Sequence, residues 1–219
     1  GVSTVTDDAE GDVTGTTDAS GIDDAAILAA MARQTGEIQQ VPTAVSAIKV
    51  NGQRAYARVR AGENVVLQPR AVTVSRFAAT ETRRHDEVVD VDVEVTCSSG
   101  TYVRALARDV GADLGVGGHL TALRRIRIGP FDLTAACPDI FADDAVAPAP
   151  MTMAEAARLS FPVVEVTDDQ EAAIRVGRRV DMTVPADVTA MIAGTGEMLA
   201  LYRPDGERRG QSRAICVLV

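Results

Sequence analysis

The chain has 219 residues, of which 46% are hydrophobic, enough for one large domain or a medium domain plus a small one. Its net charge of -9 argues against a polyanionic partner, but residues 49–130 carry +4 while residues 1–48 carry -7 and residues 131–219 carry -6. No apolar run approaches the roughly 20 residues that span a bilayer, and no secretory signal opens the sequence. We therefore expect a cytoplasmic, soluble protein whose phosphate contacts lie in the basic middle third.

The first fifty residues predict a strand, an acidic loop and a helix in that order. Residues 2–5 are β-like, and residues 7–12 form a loop that lacks the ligand spacing of an EF-hand and is expected to be solvated rather than to bind calcium. Asp23 and Asp24 precede a helix over residues 25–33, whose apolar side chains recur at helical spacing. Residues 37–50 are predicted to be extended, because Pro42 excludes a helix interior.

The middle of the chain predicts a basic helix followed by antiparallel strands. After the turn dipeptide at residues 51–52, a tyrosine-bearing basic helix is expected over residues 53–61. A strand is predicted over residues 72–77. Strict alternation of valine with carboxylates over residues 89–95 predicts a second strand, half-buried and antiparallel.

Residues 103–114 repeat apolar side chains every 3.6 residues and predict a helix with Arg104 and Arg108 one turn apart. A further helical turn is expected over residues 119–124, then a short strand over 126–128. Residues 137–150 suggest a surface connection, and residues 151–159 and 169–176 suggest short helices. Three apolar runs after residue 189 predict strands of a small appended domain.

The strongest local signal for chemistry is the passage from Cys97 to Arg104, in which a strand ends, turns at Gly100 and begins a helix. The backbone N–H groups and the positive end of such a helix favour an anion, and an arginine in the first turn can hold a carboxylate or a phosphate. Spacing alone leaves open an ordinary helix start with an exposed arginine. The three cysteines are odd in number and widely separated, which predicts reduced thiols and no zinc site.

Three separated segments resemble the TruB family of tRNA pseudouridine synthases. Residues 100–111, 114–115 and 118–125 are similar to the family's third motif region. Residues 41–42, 46–52 and 56–57 resemble its RNA-gripping thumb, expected at about residues 41–62. Residues 7–11 match the end of an early strand and its loop. Order and spacing agree over roughly residues 1–135.

The resemblance implies an α+β fold with a mixed, mainly antiparallel sheet and packed helices. Residues 1–159 would be the later portion of a pseudouridine synthase catalytic domain. Residues 160–219 would form a small C-terminal, β-rich, PUA-like domain.

The resemblance also implies an activity, the isomerisation of uridine 55 in the T-loop of tRNA to pseudouridine. The family uses an aspartate nucleophile and neither a metal nor an organic cofactor. Its nucleophile motif is not found in residues 1–219, and Asp7, Asp8 and Asp12 lie outside the required context. We therefore expect the nucleophile upstream of Gly1, and the 219 residues alone to be inactive.

The resemblance assigns roles to individual residues. Arg104 matches the arginine that orients the nucleophilic carboxylate, while Tyr102 and Leu123 match residues that contact the target uridine. Core packing is the alternative for Tyr102 and Leu123, and packing is preferred for His119. The residues expected to contact RNA phosphates are Lys49, Arg54, Arg58, Arg60, Arg124, Arg125 and Arg127.

The expected partner is the T-stem-loop of tRNA, with no membrane and no obligate protein partner. A non-catalytic RNA-binding or tRNA-folding module is the alternative, because it needs the basic segment but no nucleophile. An archaeal or eukaryotic, RNA-guided type is less consistent with residues 49–61, which resemble the bacterial thumb.

Overall fold

A computed structural model describes residues 1–43, 67–134 and 149–218, together with the backbone of residues 49–50 and 53–54. The chain divides into two compact units, residues 1–124 and residues 125–219. Helices and mainly antiparallel sheets occur in the described residues, so the predicted α+β class is confirmed.

The first unit is organised by a three-stranded antiparallel sheet in the order β3-β6-β7. Its strands are β3 (Gly36–Gln40), β6 (Arg70–His85) and β7 (Val88–Cys97). Along β7 the valines are half-buried while Asp92 and Glu94 are exposed, because successive side chains point to opposite faces. The predicted half-buried strand is therefore confirmed and extends beyond residues 89–95. A small pair, β1 (Val2–Thr4) and β2 (Val13–Thr16), precedes this sheet in the chain.

Two helices of the first unit begin and end where the sequence indicates. Helix α1 (Asp24–Arg33) is capped by Asp23, whose carboxylate accepts a 2.7 Å hydrogen bond from the N–H of Ala26. Helix α2 (Val103–Asp113) follows the turn after β7 and buries Ala105 and Leu106. Both helices confirm the periodicity arguments to within two residues.

The predicted basic helix over residues 53–61 is wrong at its first two residues. Strand β5 (Gln53–Arg54) pairs antiparallel with β4 (Lys49–Val50), so these residues are extended. The turn dipeptide between the two strands favours such a hairpin over a helix start. Residues 55–61 lie outside the described residues.

The predicted helical turn over residues 119–124 is also wrong. Leu120 instead forms a parallel bridge with Asp8: its N–H donates to the carbonyl of Asp7, and its own carbonyl accepts from the N–H of Ala9, both at 3.0 Å. These long-range bonds hold the backbone extended, which short-range periodicity cannot reveal.

The second unit contains a small hairpin and a four-stranded sheet. The hairpin pairs β8 (Arg127–Ile128) with β9 (Phe131–Asp132) across the turn at Gly129 and Pro130, and β8 confirms the strand predicted over residues 126–128 except at its first residue. The sheet has the order β10-β11-β12-β13, with β10 parallel to β11 and the other pairs antiparallel. Its strands are β10 (Val163–Glu165), β11 (Thr189–Ile192), β12 (Met198–Pro204) and β13 (Ser212–Val217).

Helices cover both faces of this second sheet. Helix α3 (Met153–Ser160) packs Ala154 and Ala157 on the face that presents Ile192, and α4 (Asp168–Arg175) packs Ile174 on the face of Met191. Both helices open with a capping box, which explains their sharp starts. The predicted domain boundary lies between residues 159 and 160, whereas α3 packs against the sheet of the second unit. The PUA-like assignment of residues 160–219 stays a prediction.

Helices of the described ranges are at most eleven residues long, and none is long and apolar enough to cross a membrane.

Candidate functional site

The turn between β7 and α2 delivers two arginines to one side of the first unit. Strand β7 ends at Cys97, Gly100 adopts a φ of +86°, and α2 begins at Val103. A φ in this range is left-handed and suits glycine, which explains the turn at that residue. Because residues four apart share a helix face, Arg104 and Arg108 point the same way.

Arg104 forms an ion pair with Asp8 of the acidic loop. Its Nη1 donates to Oδ2 of Asp8 at 2.7 Å and to the carbonyl of Thr6 at 3.2 Å. The two side chains are 29% and 19% exposed, so the pair is partly shielded from water. The residue predicted to orient a carboxylate thus holds one, and that carboxylate belongs to Asp8.

The carboxyl of Asp8 is held in its charged form. Burial by itself would raise its pKa, but hydrogen bonds from the Thr6 hydroxyl, the Arg104 guanidinium and the Glu10 N–H outweigh burial and lower the pKa below its ordinary value. The charged carboxylate is therefore a fixed partner for the guanidinium across the neutral pH range.

A second arginine network lies one helical turn away. Arg108 donates to Oδ2 of Asp7 at 3.2 Å, to Oδ1 of Asp109 at 2.8 Å and to the carbonyl of Val41 at 2.8 Å. Burial opposes its charge, yet the bonds to Asp109 and Asp7 outweigh burial and raise its pKa. Asp7 is only 13% exposed in its side chain.

The expectation of a solvated acidic loop is therefore wrong for Asp7 and Asp8. Two carboxylates adjacent in the sequence face two arginines that are one helical turn apart. The i, i+4 spacing of the two arginines indicates that they share a helix face. The sequence does not show which loop that face contacts. Asp7 reaches its partner from a left-handed backbone with φ 59°, a conformation that aspartate tolerates better than most residues.

Tyr102 is half-buried, and its backbone is held from both sides by one side chain. The Tyr102 N–H donates to Oε1 of Gln40 at 2.8 Å, and Nε2 of Gln40 donates to the Tyr102 carbonyl at 3.1 Å. Gln40 ends strand β3 and is 2% exposed. Gln40 was not predicted as a site residue, because an isolated glutamine in an extended run carries no local signal.

The structure shows the exposure or the contacts of five further residues singled out in the sequence. Leu123 is 63% exposed, so core packing is excluded for it in the described unit. The side chains of Arg124, Arg125 and Arg127 are exposed. Nδ1–H of His119 donates to the Val2 carbonyl at 2.9 Å, an arrangement that suits the packing role preferred for it.

The predicted thumb falls largely outside the described residues. Lys49 and Arg54 are paired in backbone register in the β4–β5 hairpin, and their side chains are not described. Arg58 and Arg60 lie outside the described residues altogether.

An apolar cavity of about 340 Å³ lies elsewhere in the first unit, against the valines of β7, Ile27 of α1 and Val110 of α2. Neither Arg104 nor Arg108 lines it. The charged groups that carry chemistry therefore converge outside this cavity, and the ion pairs rather than the cavity define the candidate site.

The charge of Asp8 is expected to stabilise the fold at neutral pH. We expect Asp8→Asn to lower the free energy of unfolding by about 1–3 kcal/mol at pH 7, because it leaves a charged hydrogen-bond network incomplete. Urea unfolding of both proteins from pH 7 to pH 2.5 measures the difference.

This difference has a defined pH dependence. Because the pKa of Asp8 is lower in the folded state, the unfolded chain takes up a proton first as the pH falls. The stabilisation by the charged Asp8 is fully present above the pKa of the unfolded chain, about 4, and is lost as the pH falls through the lower pKa of Asp8 in the folded state. Asp12→Asn, at an exposed position of the same loop, is the control; a difference that stays constant to pH 2.5 contradicts the assignment.

Comparison with solved structures finds the same fold in chains of two complexes. A Cbf5–Nop10–Gar1 complex contains a chain that matches with a TM-score of 0.59 and 22% identity, over 90% of this chain and 62% of that one. An H/ACA RNP bound to a substrate RNA containing 2'-deoxyuridine matches with a TM-score of 0.56 and 20% identity, over 90% and 61%. At this identity the likeness concerns the fold alone.

Sequence comparison defines the family. Residues 1–103 match the model of the "TruB family pseudouridylate synthase (N terminal domain)", and residues 104–140 match the "tRNA pseudouridylate synthase B C-terminal domain". The tRNA pseudouridine synthase B of Cutibacterium acnes is 82% identical over 219 residues, which are all of this chain and 74% of that relative. The one from Corynebacterium aurimucosum is 48% identical over 211 residues, 95% of this chain and 70% of that relative. The chain therefore belongs to the TruB family of pseudouridine synthases, and the predicted class, an isomerase that acts on RNA, is confirmed.

Proposed function

We propose that the protein converts uridine 55 in the T-loop of tRNA to pseudouridine. The observation that carries the proposal is the placement of Arg104, at the start of α2 and paired at 2.7 Å with a carboxylate, beside the fixed backbone of Tyr102. The identities to tRNA pseudouridine synthases B, 82% in the first case, support tRNA as the substrate.

The reaction needs no change of oxidation state and no added atom. The bond between C1' of the ribose and N1 of the uracil breaks, the base turns, and C1' bonds to C5. The C5 proton is lost and a proton is gained at N1, so the product is an isomer of the substrate. The protein therefore supplies positioning, charge and proton transfer, for which no metal or cofactor is invoked.

In this proposal Arg104 orients the nucleophilic carboxylate while Asp8 anchors Arg104. A guanidinium has five N–H donors in one plane and can bridge two carboxylates in a fixed geometry. The family resemblance assigns the nucleophile to a motif that is not found in residues 1–219. Asp8 keeps the role of anchor, because its oxygens already accept from Thr6, Glu10 and Arg104.

Tyr102 and Leu123 contact the flipped base in the proposal. A uridine that leaves the stack needs a flat apolar surface together with a hydrogen-bonding group. The exposure of Leu123, 63%, supports a contact with RNA, since burying an apolar side chain on binding is favourable.

The basic residues of the thumb and of residues 124–127 supply phosphate contacts in the proposal, and the T-stem-loop is the element they hold. The reaction takes place in the cytoplasm, where tRNA is processed in bacteria, and requires no obligate protein partner. The PUA-like fold of the small C-terminal domain stays a prediction.

RNA binding by the thumb is tested by its salt dependence. Replacing Arg54, Arg58 and Arg60 together with glutamine should weaken tRNA binding and reduce the slope of log affinity against log salt by about 2–3, because fewer counterions are released. Filter binding at 50–300 mM salt measures the slope.

A triple variant elsewhere controls for net charge. Arg76, Arg83 and Arg84 lie on β6 of the same unit, and each is ion-paired with a carboxylate of this chain. Their replacement with glutamine changes the net charge equally and should leave the slope unchanged. Equal slopes for the thumb variant and the parent protein would exclude the thumb from phosphate binding.

A non-catalytic RNA-binding or tRNA-folding module remains the second candidate. It is favoured by the same basic residues, and it differs in one respect only, since it holds tRNA without forming pseudouridine. Product formation, rather than affinity, separates the two candidates.

A further inference from the structure

Gln40 stands out as a buried polar side chain whose bonding partners lie far away in the sequence. It is the last residue of β3 and 2% exposed. The oxygen and the nitrogen of its side-chain amide both bond to the backbone of Tyr102, 62 residues away. A buried polar group of this kind is costly unless all its bonds are made. The pairing of one donor and one acceptor with one residue fixes both the distance and the orientation of that backbone.

The bonded residue occupies a decisive place in the site. Tyr102 is the N-cap of α2, and its side chain makes no capping hydrogen bond. The N–H and C=O of Tyr102 are therefore the groups through which β3 fixes the start of α2. Arg104 follows two residues later, in the first helical turn, so a shift of the Tyr102 backbone moves the guanidinium as well.

The surrounding chain is built to keep this link rigid. Pro42 and Thr43, which follow Gln40, are buried, and the carbonyl of Val41 accepts from Arg108 of the same helix. Gln40 and the next residue, Val41, are thus hydrogen-bonded to Tyr102 and Arg108. These two residues of α2 and its N-cap are less than two helical turns apart. A strand end that is merely packed would need only apolar contacts.

We propose that Gln40 is a positioning residue, whose amide sets the placement of Tyr102 and Arg104 for the reaction. This inference rests on the proposed function, because the quantity it controls is the rate of the chemical step. The amide touches the backbone of a site residue and no reacting atom. Loss of the amide should misplace the site by a fraction of an ångström to about 1 Å, a displacement that can cost about 10²-fold in rate.

The test is single-turnover pseudouridine formation with a protein that includes the segment expected to carry the nucleophile, in saturating excess over tRNA. Gln40→Leu removes both bonds, and Gln40→Glu keeps the acceptor for the Tyr102 N–H but faces the carbonyl with a second acceptor. Both variants should lower the first-order rate constant by about 10–10²-fold, while the dissociation constant for tRNA changes little. A merely structural role would lower the fraction of active protein, and that fraction does not alter this rate constant under saturating conditions.

The neighbouring glutamine provides a matched control. Gln39 lies on the same strand, is exposed and points to the opposite face. Gln39→Leu and Gln39→Glu should retain the parent rate constant. If the parent is active and Gln40→Glu matches it, Gln40 has no positioning role; if the parent forms no pseudouridine, the proposed function itself fails. Circular dichroism identifies a variant that does not fold, and Gln40→Glu, nearly isosteric, then carries the test.

Discussion

Arg104→Lys is expected to lower the turnover of pseudouridine formation by about 10²–10³-fold while the affinity for tRNA changes little. Lysine keeps the positive charge and can still approach Asp8. It lacks the planar fork that holds one carboxylate while orienting another, so the nucleophile loses its direction. Steady-state turnover and tRNA dissociation constants of parent and variant measure the two effects separately.

The matched control for this substitution is Arg33→Lys. Arg33 also pairs with a carboxylate, that of Asp113 at 3.1 Å, but its side chain is 54% exposed and lies at the end of α1. A surface pair contributes little, so the control should retain parent turnover. Near-parent turnover of Arg104→Lys would show that Arg104 is an ordinary ion-pair residue, and a large loss of tRNA affinity would show that it binds phosphate.

Gly111→Ala is expected to destabilise the first unit by about 1–3 kcal/mol, against the usual trend for helices. In an open helix position the change would stabilise by about 1 kcal/mol. Here a Cβ would lie 2.2 Å from the carbonyl carbon of Gly117 and 2.3 Å from the N–H nitrogen of Gly118. Backbone cannot give way as a side chain can, so the clash outweighs the propensity gain. Urea unfolding measures the change.

Gly21→Ala separates this clash from the general effect of removing a glycine. Its Cβ would meet nothing within 4 Å, and its φ is not left-handed. The control should leave stability unchanged or raise it by a few tenths of a kcal/mol. A Gly111→Ala protein as stable as the parent would show that α2 can move away from the turn at residues 117–118.

The regular elements of the fold were predictable because their signals are local. The alternation of residues 89–95 and the apolar spacing of residues 103–114 each identify an element without knowledge of its partners. The two failures, at residues 53–54 and 119–124, have a common cause. In both places the conformation is determined by backbone pairing with residues across a turn or far away in the sequence. The segments are also too short for a hydrophobic period to be recognised.

The site was predictable in part. The turn at Gly100 and the position of Arg104 in the first turn of α2 follow from the sequence, and their chemical role came from family resemblance. The partner Asp8 and the positioning side chain Gln40 did not follow, because their contacts with α2 span 96 and 62 residues. An acidic loop by itself looks solvated, and only the folded chain shows that Asp7 and Asp8 meet two arginines.

The most direct test of the proposed function is tritium release from tRNA labelled at C5 of uridine, with a protein that includes the segment expected to carry the nucleophile. Formation of the bond between C1' and C5 expels the C5 hydrogen, so each pseudouridine releases one tritium. We predict release that approaches one equivalent per tRNA, with the product mapped to position 55 of the T-loop and no release from a tRNA in which that uridine is replaced by cytidine. Saturable tRNA binding without tritium release would contradict the account and identify the protein as an RNA-binding module.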